Sequence, residues 1–175
     1  MKTISINIFK FNELSEQAKD NAVEKLRDIN LHDDWYECTV DDAATIGLKI
    51  EGFDIDRASH VEGVFTEDAT KVADLIIANH GEHCETHKTA VKFWEDWNSL
   101  VEKHSDGVDT SYVAYENEQE FDNEANELEQ EFLNDLCECY LTILRNEYEY
   151  LYSDEAVIGT IEANDYDFTE DGNPY

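Results

Sequence analysis

Residues 116–151 read ENEQEFDNEANELEQEFLNDLCECYLTILRNEYEYL, and the reading of this stretch decides the fold. A run this acidic is ordinarily a solvated or disordered tail. Here, however, Phe121, Ala125, Leu128, Phe132, Leu136, Tyr140, Ile143, Leu144 and Leu151 recur mostly in steps of three and four. Residues at those spacings are neighbours on a helix surface, so the set forms one apolar stripe. A disordered tail has no reason to keep it. The pattern predicts one long acidic amphipathic helix near residues 113–152, with one face in a core.

Outward from this helix the elements are shorter. Ile4, Ile6 and Ile8 alternate with polar residues, as on a half-buried strand. Ser15 is placed to cap a helix carrying Ala18, Ala22, Leu26 and Ile29 inward. Asp33 or Asp34 opens a second helix through Trp35, Val40 and Ala43, stopped by Gly47. Residues 48–56 and 60–65 read as a hairpin. Residues 68–79 and 85–104 read as helices, the latter with Phe93, Trp94, Trp97, Leu100 and Val101 apolar. Ser153, followed by Asp154 and Glu155, is a helix start, and Tyr166 with Phe168 suggests a last strand. The sum is an α+β fold: a small, mainly antiparallel sheet of about three to four strands covered by helices. With its one proline at Pro174 and no repeat, the chain is expected to form a single domain over 1–175, with the acidic region at about 105–152.

Charge narrows function. The 175 residues hold 43 Asp and Glu against 12 Lys and Arg, a formal net charge of −31. Leu, Ile, Val and Phe still supply 42 residues, enough for a core. The imbalance is uneven: residues 104–175 carry 21 acids and only Arg145, and no base lies between Lys103 and Arg145. So negative a surface repels phosphates and anionic lipids, which disfavours direct nucleic-acid binding and membrane docking. No apolar run approaches the roughly 18 residues of a membrane span, and no basic segment leads an apolar one. The expected location is the cytoplasm, where Cys38, Cys84, Cys137 and Cys139 would be reduced thiols.

The predicted helix carries Glu116, Glu118, Glu120, Asp122, Glu124, Glu127, Glu129, Glu131, Asp135 and Glu138. Within these, Glu116, Glu120, Glu124, Glu127, Glu131, Asp135 and Glu138 step by three and four, so carboxylates recur about every 5–6 Å along the axis. That approaches the spacing of phosphates on a nucleic-acid strand. Like charges at this spacing destabilise a helix, and interspersed lysines would avoid the penalty. The functional reading is therefore imitation of a phosphate backbone, aimed at a basic groove on another protein. Asp33, Asp34, Asp41 and Asp42 form a second candidate patch. The bland reading is a solvated acidic surface with no partner. Adaptation to high salt fits poorly with a composition rich in Lys relative to Arg and in Ile and Asn.

Other constellations carry less. His80, His83, Cys84 and His87 are competent zinc ligands within eight residues, yet no second segment supplies a matching pair. A helix-to-helix junction, with His80 at one end, Gly81 as the stop and Cys84 packed inward, explains them. No metal or cofactor is expected. Cys137 and Cys139 are two apart, so their thiols point to different sides of a helix. The acidic pairs around Asp54 and Asp165 lack calcium-loop spacing. No phosphate-cradling glycine loop or nucleophile–base pair stands out, and pairing any two of 43 carboxylates carries no information, so no catalytic residue is assigned.

The segment from Phe11 to Asp28, then Asp34–Trp35 and Gly52 to Arg57, with the ending Ser153 to Ala156 and Glu162 to Gly172, resembles a widespread group of small acidic proteins encoded by tailed phages and prophages. The similarity runs along most of the chain. The group carries no named activity, so it implies no site residues, only a setting: a phage gene expressed in a bacterial host cytoplasm. Small acidic proteins in that setting are often inhibitors of host defence, including anti-CRISPR and DNA-mimicking anti-restriction proteins. The expectation is a non-enzymatic inhibitor that occupies the DNA or RNA groove of a basic host protein, most concretely a CRISPR effector. The alternative is a phage structural or regulatory module that uses its apolar helix face for interaction, a dimer being one outcome.

Overall fold

The computed structural model describes residues 7–32, 34–105 and 118–175. Its fold is α+β, with six helices, a short 3-10 turn and four strands among the described residues. The chain divides into two compact units. One is Met1–Tyr36 together with Arg145–Tyr175, and the other is Glu37–Leu144.

The Glu37–Leu144 unit contains α2 (Glu37–Thr45), β2 (Leu48–Asp54), β3 (His60–Phe65), α3 (Ala69–Asn79), α4 (Glu85–His104) and most of α5 (Glu118–Leu151). Strands β2 and β3 pair antiparallel from Leu48↔Phe65 to Asp54↔His60, with a register shift between Ile50 and Gly52. Gly47, at φ 82°, turns the chain from α2 into β2, and its carbonyl accepts from Thr66 N at 2.8 Å. A side chain there would be strained, and its Cβ would press on Val72 Cγ2 at 3.3 Å. The core gathers Ile46, Leu48, Val72, Ile76, Leu136 and Tyr140, all fully buried. Each such side chain contributes roughly 1.5–3 kcal/mol through removal of apolar surface from water. Helices α4 and α5 run antiparallel: Phe93 meets Phe132, whereas Trp97 and His104, further along α4, meet Phe121, earlier on α5.

The other unit joins β1 (Phe9–Lys10), the 3-10 turn Phe11–Glu13, α1 (Glu16–Lys25), the end of α5, α6 (Asp154–Ala163) and β4 (Asp167–Phe168). Strands β1 and β4 pair antiparallel, Phe9 opposite Phe168. Both expected caps form: Ser15 Oγ accepts from Ala18 N at 3.3 Å, and Ser153 Oγ accepts from Ala156 N at 3.2 Å. Each satisfies a helix N–H that has no partner within the helix, an effect of about 1 kcal/mol. Phe11, Leu14, Ala22, Val157, Ile161 and Phe168 form the core. Gly172, at φ 80°, lies so close to α1 that an added Cβ would fall 2.0 Å from Ala18 O.

Several expectations change. Instead of one small sheet, the described strands form two separate two-stranded ladders, because each unit closes its own core with helices. Ile4 and Ile6 lie outside the described residues; Ile8 is exposed and precedes β1. The second helix begins at Glu37, after a turn over 34–36, and Asp33 is outside the described residues. Helix α1 ends at Lys25, and Ile29 packs from the turn that follows. Of the helix expected over 113–152, residues 118–151 are α5 and 113–117 are not described. Ile143, placed in the apolar stripe by spacing, is 40% exposed, while Leu144 takes the buried position. Cys84 is exposed rather than inward. Among the described residues no helix is long and apolar enough to cross a membrane.

Candidate functional site

Helix α5 presents its carboxylates in three different situations. Glu120, Asp122, Glu127, Glu131 and Glu138 are exposed, and Glu124, Glu129 and Asp135 are half-buried. Glu116 lies outside the described residues, and Glu118 is the first residue of α5.

The first group is tied to α4. Lys103 Nζ donates to both oxygens of Glu124, at 2.6 and 2.8 Å. Lys92 Nζ reaches Glu131 Oε1 at 3.1 Å and lies 3.6 Å from Asp135 Oδ2. Lysines eleven positions apart on α4 thus hold carboxylates on α5, as the antiparallel pairing of the helices requires. The Lys103 ammonium and, secondarily, His104 hold the Glu124 carboxyl below its usual range. The bonds to Glu131 and Glu124 raise the Lys92 and Lys103 ammoniums in turn. Three members of the seven-residue acidic array therefore act as interhelical ties.

Glu129 is the second situation. Partial burial and the nearby Asp68 push its carboxyl upward, so its charge is mildly opposed by the fold.

The third group comprises Glu120, Asp122, Glu127 and Glu138. None has a Lys or Arg nitrogen within 4.0 Å among the described residues, although Glu120 is in electrostatic reach of Lys103. On the helix, Glu120 to Glu127 spans ~10 Å and Glu127 to Glu138 ~16 Å. The unpaired members of the seven-residue array, Glu120, Glu127 and Glu138, are consequently spaced more widely than the 5–6 Å expected for the full array, while Asp122 lies about 3 Å along the axis from Glu120.

The second acidic patch is divided. Asp34 belongs to one unit, whereas Asp41 and Asp42 lie on α2 in the other. Asp34 and Asp41 are exposed. Asp42 is committed internally: its Oδ2 accepts from the hydroxyl of fully buried Tyr140 at 2.8 Å, and its Oδ1 lies 3.7 Å from His80 Nε2. Burial, and donation to Asp42, push the Tyr140 hydroxyl strongly upward, so it stays protonated. His80 closes α3, with Nδ1 2.7 Å from the hydroxyl of buried Thr86.

The zinc candidates are not gathered. His80 is engaged as described, His83 and Cys84 are exposed, and His87 is half-buried on α4. Among the described residues no group of three or more His, Cys, Asp and Glu side chains is placed to hold a metal ion. Cys137 is buried and Cys139 half-buried beside Thr89, and burial pushes both thiols upward, away from the reactive thiolate.

No protein-family model matches the chain, and no curated protein or solved structure matches it either. The site therefore rests on its own chemistry.

The cations complete it. Lys10, Lys19, Arg27, Lys49, Lys71, Lys88, Lys92 and Lys103 each lie within 4.0 Å of a carboxylate. Arg27 bonds Asp154 and the carbonyl of Tyr152 while its guanidinium covers the Tyr152 ring, 5.5 Å from the centroid. Lys10 forms one wall of an open depression of about 320 Å³ with Asn12, Glu162, Asp165 and Tyr166, and its ammonium is occupied by Asp165 and Asp167. Sequence reasoning counted these cations without seeing them consumed. The ties of Lys92 and Lys103 were the missed residues; two lysines on the polar flanks of a predicted apolar helix were the available signal.

Proposed function

We propose that the chain is a non-enzymatic inhibitor that binds a basic, nucleic-acid-handling host protein, most concretely a CRISPR effector, and occupies its DNA or RNA groove in the bacterial cytoplasm. The observation that supports this most is the disposition of charge. The chain's few cations are largely absorbed by its own carboxylates, while Glu120, Asp122, Glu127 and Glu138 on α5 remain exposed and unpaired. A partner approaching α5 meets a negative field on a preformed helix, which favours fast, salt-sensitive encounter with arginines and lysines. Charge-assisted hydrogen bonds to those groups would then hold the complex.

The test is replacement of Glu120, Asp122, Glu127 and Glu138 by Lys together. The variant should keep its helical circular dichroism and lose inhibition and effector binding. A folded variant that inhibits as well as the parent overturns the reading. Binding should also weaken steeply as salt rises from about 50 to about 200 mM, since exposed charges are screened.

A second reading has one observation in its favour. Within the Glu37–Leu144 unit, Ile143 is an exposed apolar residue on α5, 40% accessible, as a self-associating helix face would present. On that reading sedimentation shows a concentration-dependent dimer that salt leaves intact, and Ile143→Ser abolishes it.

A further inference from the structure

The depression of about 320 Å³ beside β1 lies wholly within the unit formed by Met1–Tyr36 and Arg145–Tyr175. Its volume falls at the lower end of the range of small-ligand sites, about 300–1,000 Å³. Phe11 and Ile161, both members of that unit's core, give it an apolar lining. Asn12 from the 3-10 turn, Glu162 from α6 and Tyr166 just before β4 bring polar groups to it. Tyr166 also packs against the core, which fixes its ring.

The cation of the lining has nothing left to offer an anion. A lysine ammonium carries three N–H donors. Three oxygens meet the Lys10 ammonium: Asp165 O at 2.7 Å, Asp165 Oδ2 at 2.8 Å and Asp167 Oδ1 at 2.9 Å. Asp165 adopts φ 54°, and in this left-handed conformation its carbonyl and its carboxylate both reach Lys10. By contrast, the side chains of Asn12, Glu162 and Tyr166 make no hydrogen bond or ion pair among the described residues. Each holds an oxygen that accepts hydrogen bonds. With Asp165, Asp167 and Glu162 set against Lys10, the surroundings are negative overall. An anion is repelled there, whereas a cation bearing N–H groups finds unused acceptors. Three such acceptors match the three donors of a primary ammonium, and the apolar lining suits the carbon chain attached to it.

We propose that this depression binds a primary alkylammonium group, whose N–H groups donate to Glu162, Asn12 and Tyr166 while its carbon chain rests on Phe11 and Ile161. The site uses none of the α5 carboxylates assigned to docking, so the two readings fail separately.

Titration of the full, isotope-labelled chain with n-butylammonium chloride at constant ionic strength, followed by amide NMR, provides the test. Shifts should saturate and be confined to the neighbourhoods of Lys10–Asn12 and Ile161–Tyr166. The Glu162 carboxylate is exposed and supports no other contact, so Glu162→Gln should keep the fold and weaken binding at least about fivefold. Tyr166→Phe should weaken it by a smaller factor, and neutral n-butanol should produce no saturating shifts. A parallel titration with Nα-acetyllysine N-methylamide separates the sources of the ammonium. Tighter binding than n-butylammonium assigns the site to a lysine side chain of a polypeptide, and equal or weaker binding assigns it to a free amine. Shifts that rise without saturating or spread across the acidic surface overturn the site, as does equal affinity in the parent and Glu162→Gln.

Discussion

Phe93 of α4 and Phe132 of α5 stack nearly parallel, ring centroids 4.3 Å apart and planes inclined by 17°. Both rings are almost completely buried, and Phe65 and Trp97 pack around them. The long acidic helix is therefore anchored at its middle by aromatic packing as well as by the lysine ties. Phe132→Ala should destabilise the protein by about 3–5 kcal/mol, through lost burial and the cavity left behind. Urea denaturation monitored by circular dichroism measures it.

The Tyr140 hydroxyl joins α5 to α2 through Asp42. Tyr140→Phe leaves the packing intact and removes one charge-assisted bond, at about 1–2 kcal/mol, because half-exposed Asp42 regains water. A cycle with Asp42→Ala, which removes the acceptor, should show the two losses to be far from additive. Additive losses would mean that the bond contributes nothing.

Gly172 tolerates no side chain. At φ 80° and with a virtual Cβ 2.0 Å from Ala18 O, Gly172→Ala meets both backbone strain and a clash with backbone that cannot swing away. A loss of more than about 2 kcal/mol is expected, whereas Gly52→Ala, with open space at its Cβ, should change stability by less than about 1 kcal/mol. Equal thermal midpoints for the two variants would contradict the close approach.

Two glutamates on α5 should respond to pH with opposite signs. Glu124 is held low by Lys103, so its contribution is present above the ordinary carboxylate range and is lost as pH falls through its depressed value. Glu129 is pushed up by burial and Asp68, so its charge opposes folding at neutral pH, and the penalty is relieved as pH falls through its raised value. Glu124→Gln should therefore be less stable than the parent at pH 7, with the gap closing in acid. Glu129→Gln should be slightly more stable at pH 7, by less than about 0.5 kcal/mol because solvent screens the group, and this gap should also close. Urea midpoints at about pH 7 and pH 4 separate the cases.

Much of the fold was legible because local rules and tertiary packing agree. Ser15 and Ser153 announced helix starts, Gly47 a stop, and the steps from Phe132 to Leu136 and Tyr140 a buried face. Ile143 shows the limit: Ile143 and Leu144 both suit an apolar stripe, and only the neighbouring elements decide which turns inward. The division of the strands into two ladders was equally hidden, since a two-residue strand such as Asp167–Phe168 announces itself but not its partner. At the candidate site, the sequence supplied the carboxylates and their spacing along α5. It could not reveal that Lys92 and Lys103 remove Glu124, Glu131 and Asp135 from the unpaired set, because that depends on the register of α4 against α5.

The pairing of Phe9 with Phe168 bears on how the protein is made. One unit is assembled from two stretches of chain, with the whole Glu37–Leu144 unit between them. On a ribosome adding about 5–20 residues per second, the 159 residues from Phe9 to Phe168 correspond to a delay of roughly 8–30 s. Until α6 and β4 emerge late in that interval, the inward faces of β1 and α1 lack the elements that bury them, while Glu37–Leu144 can already condense. The early segment must wait, and the neighbouring acids Glu13, Glu16, Asp20 and Glu24 give it a charged surface on which nascent chains repel one another rather than associate.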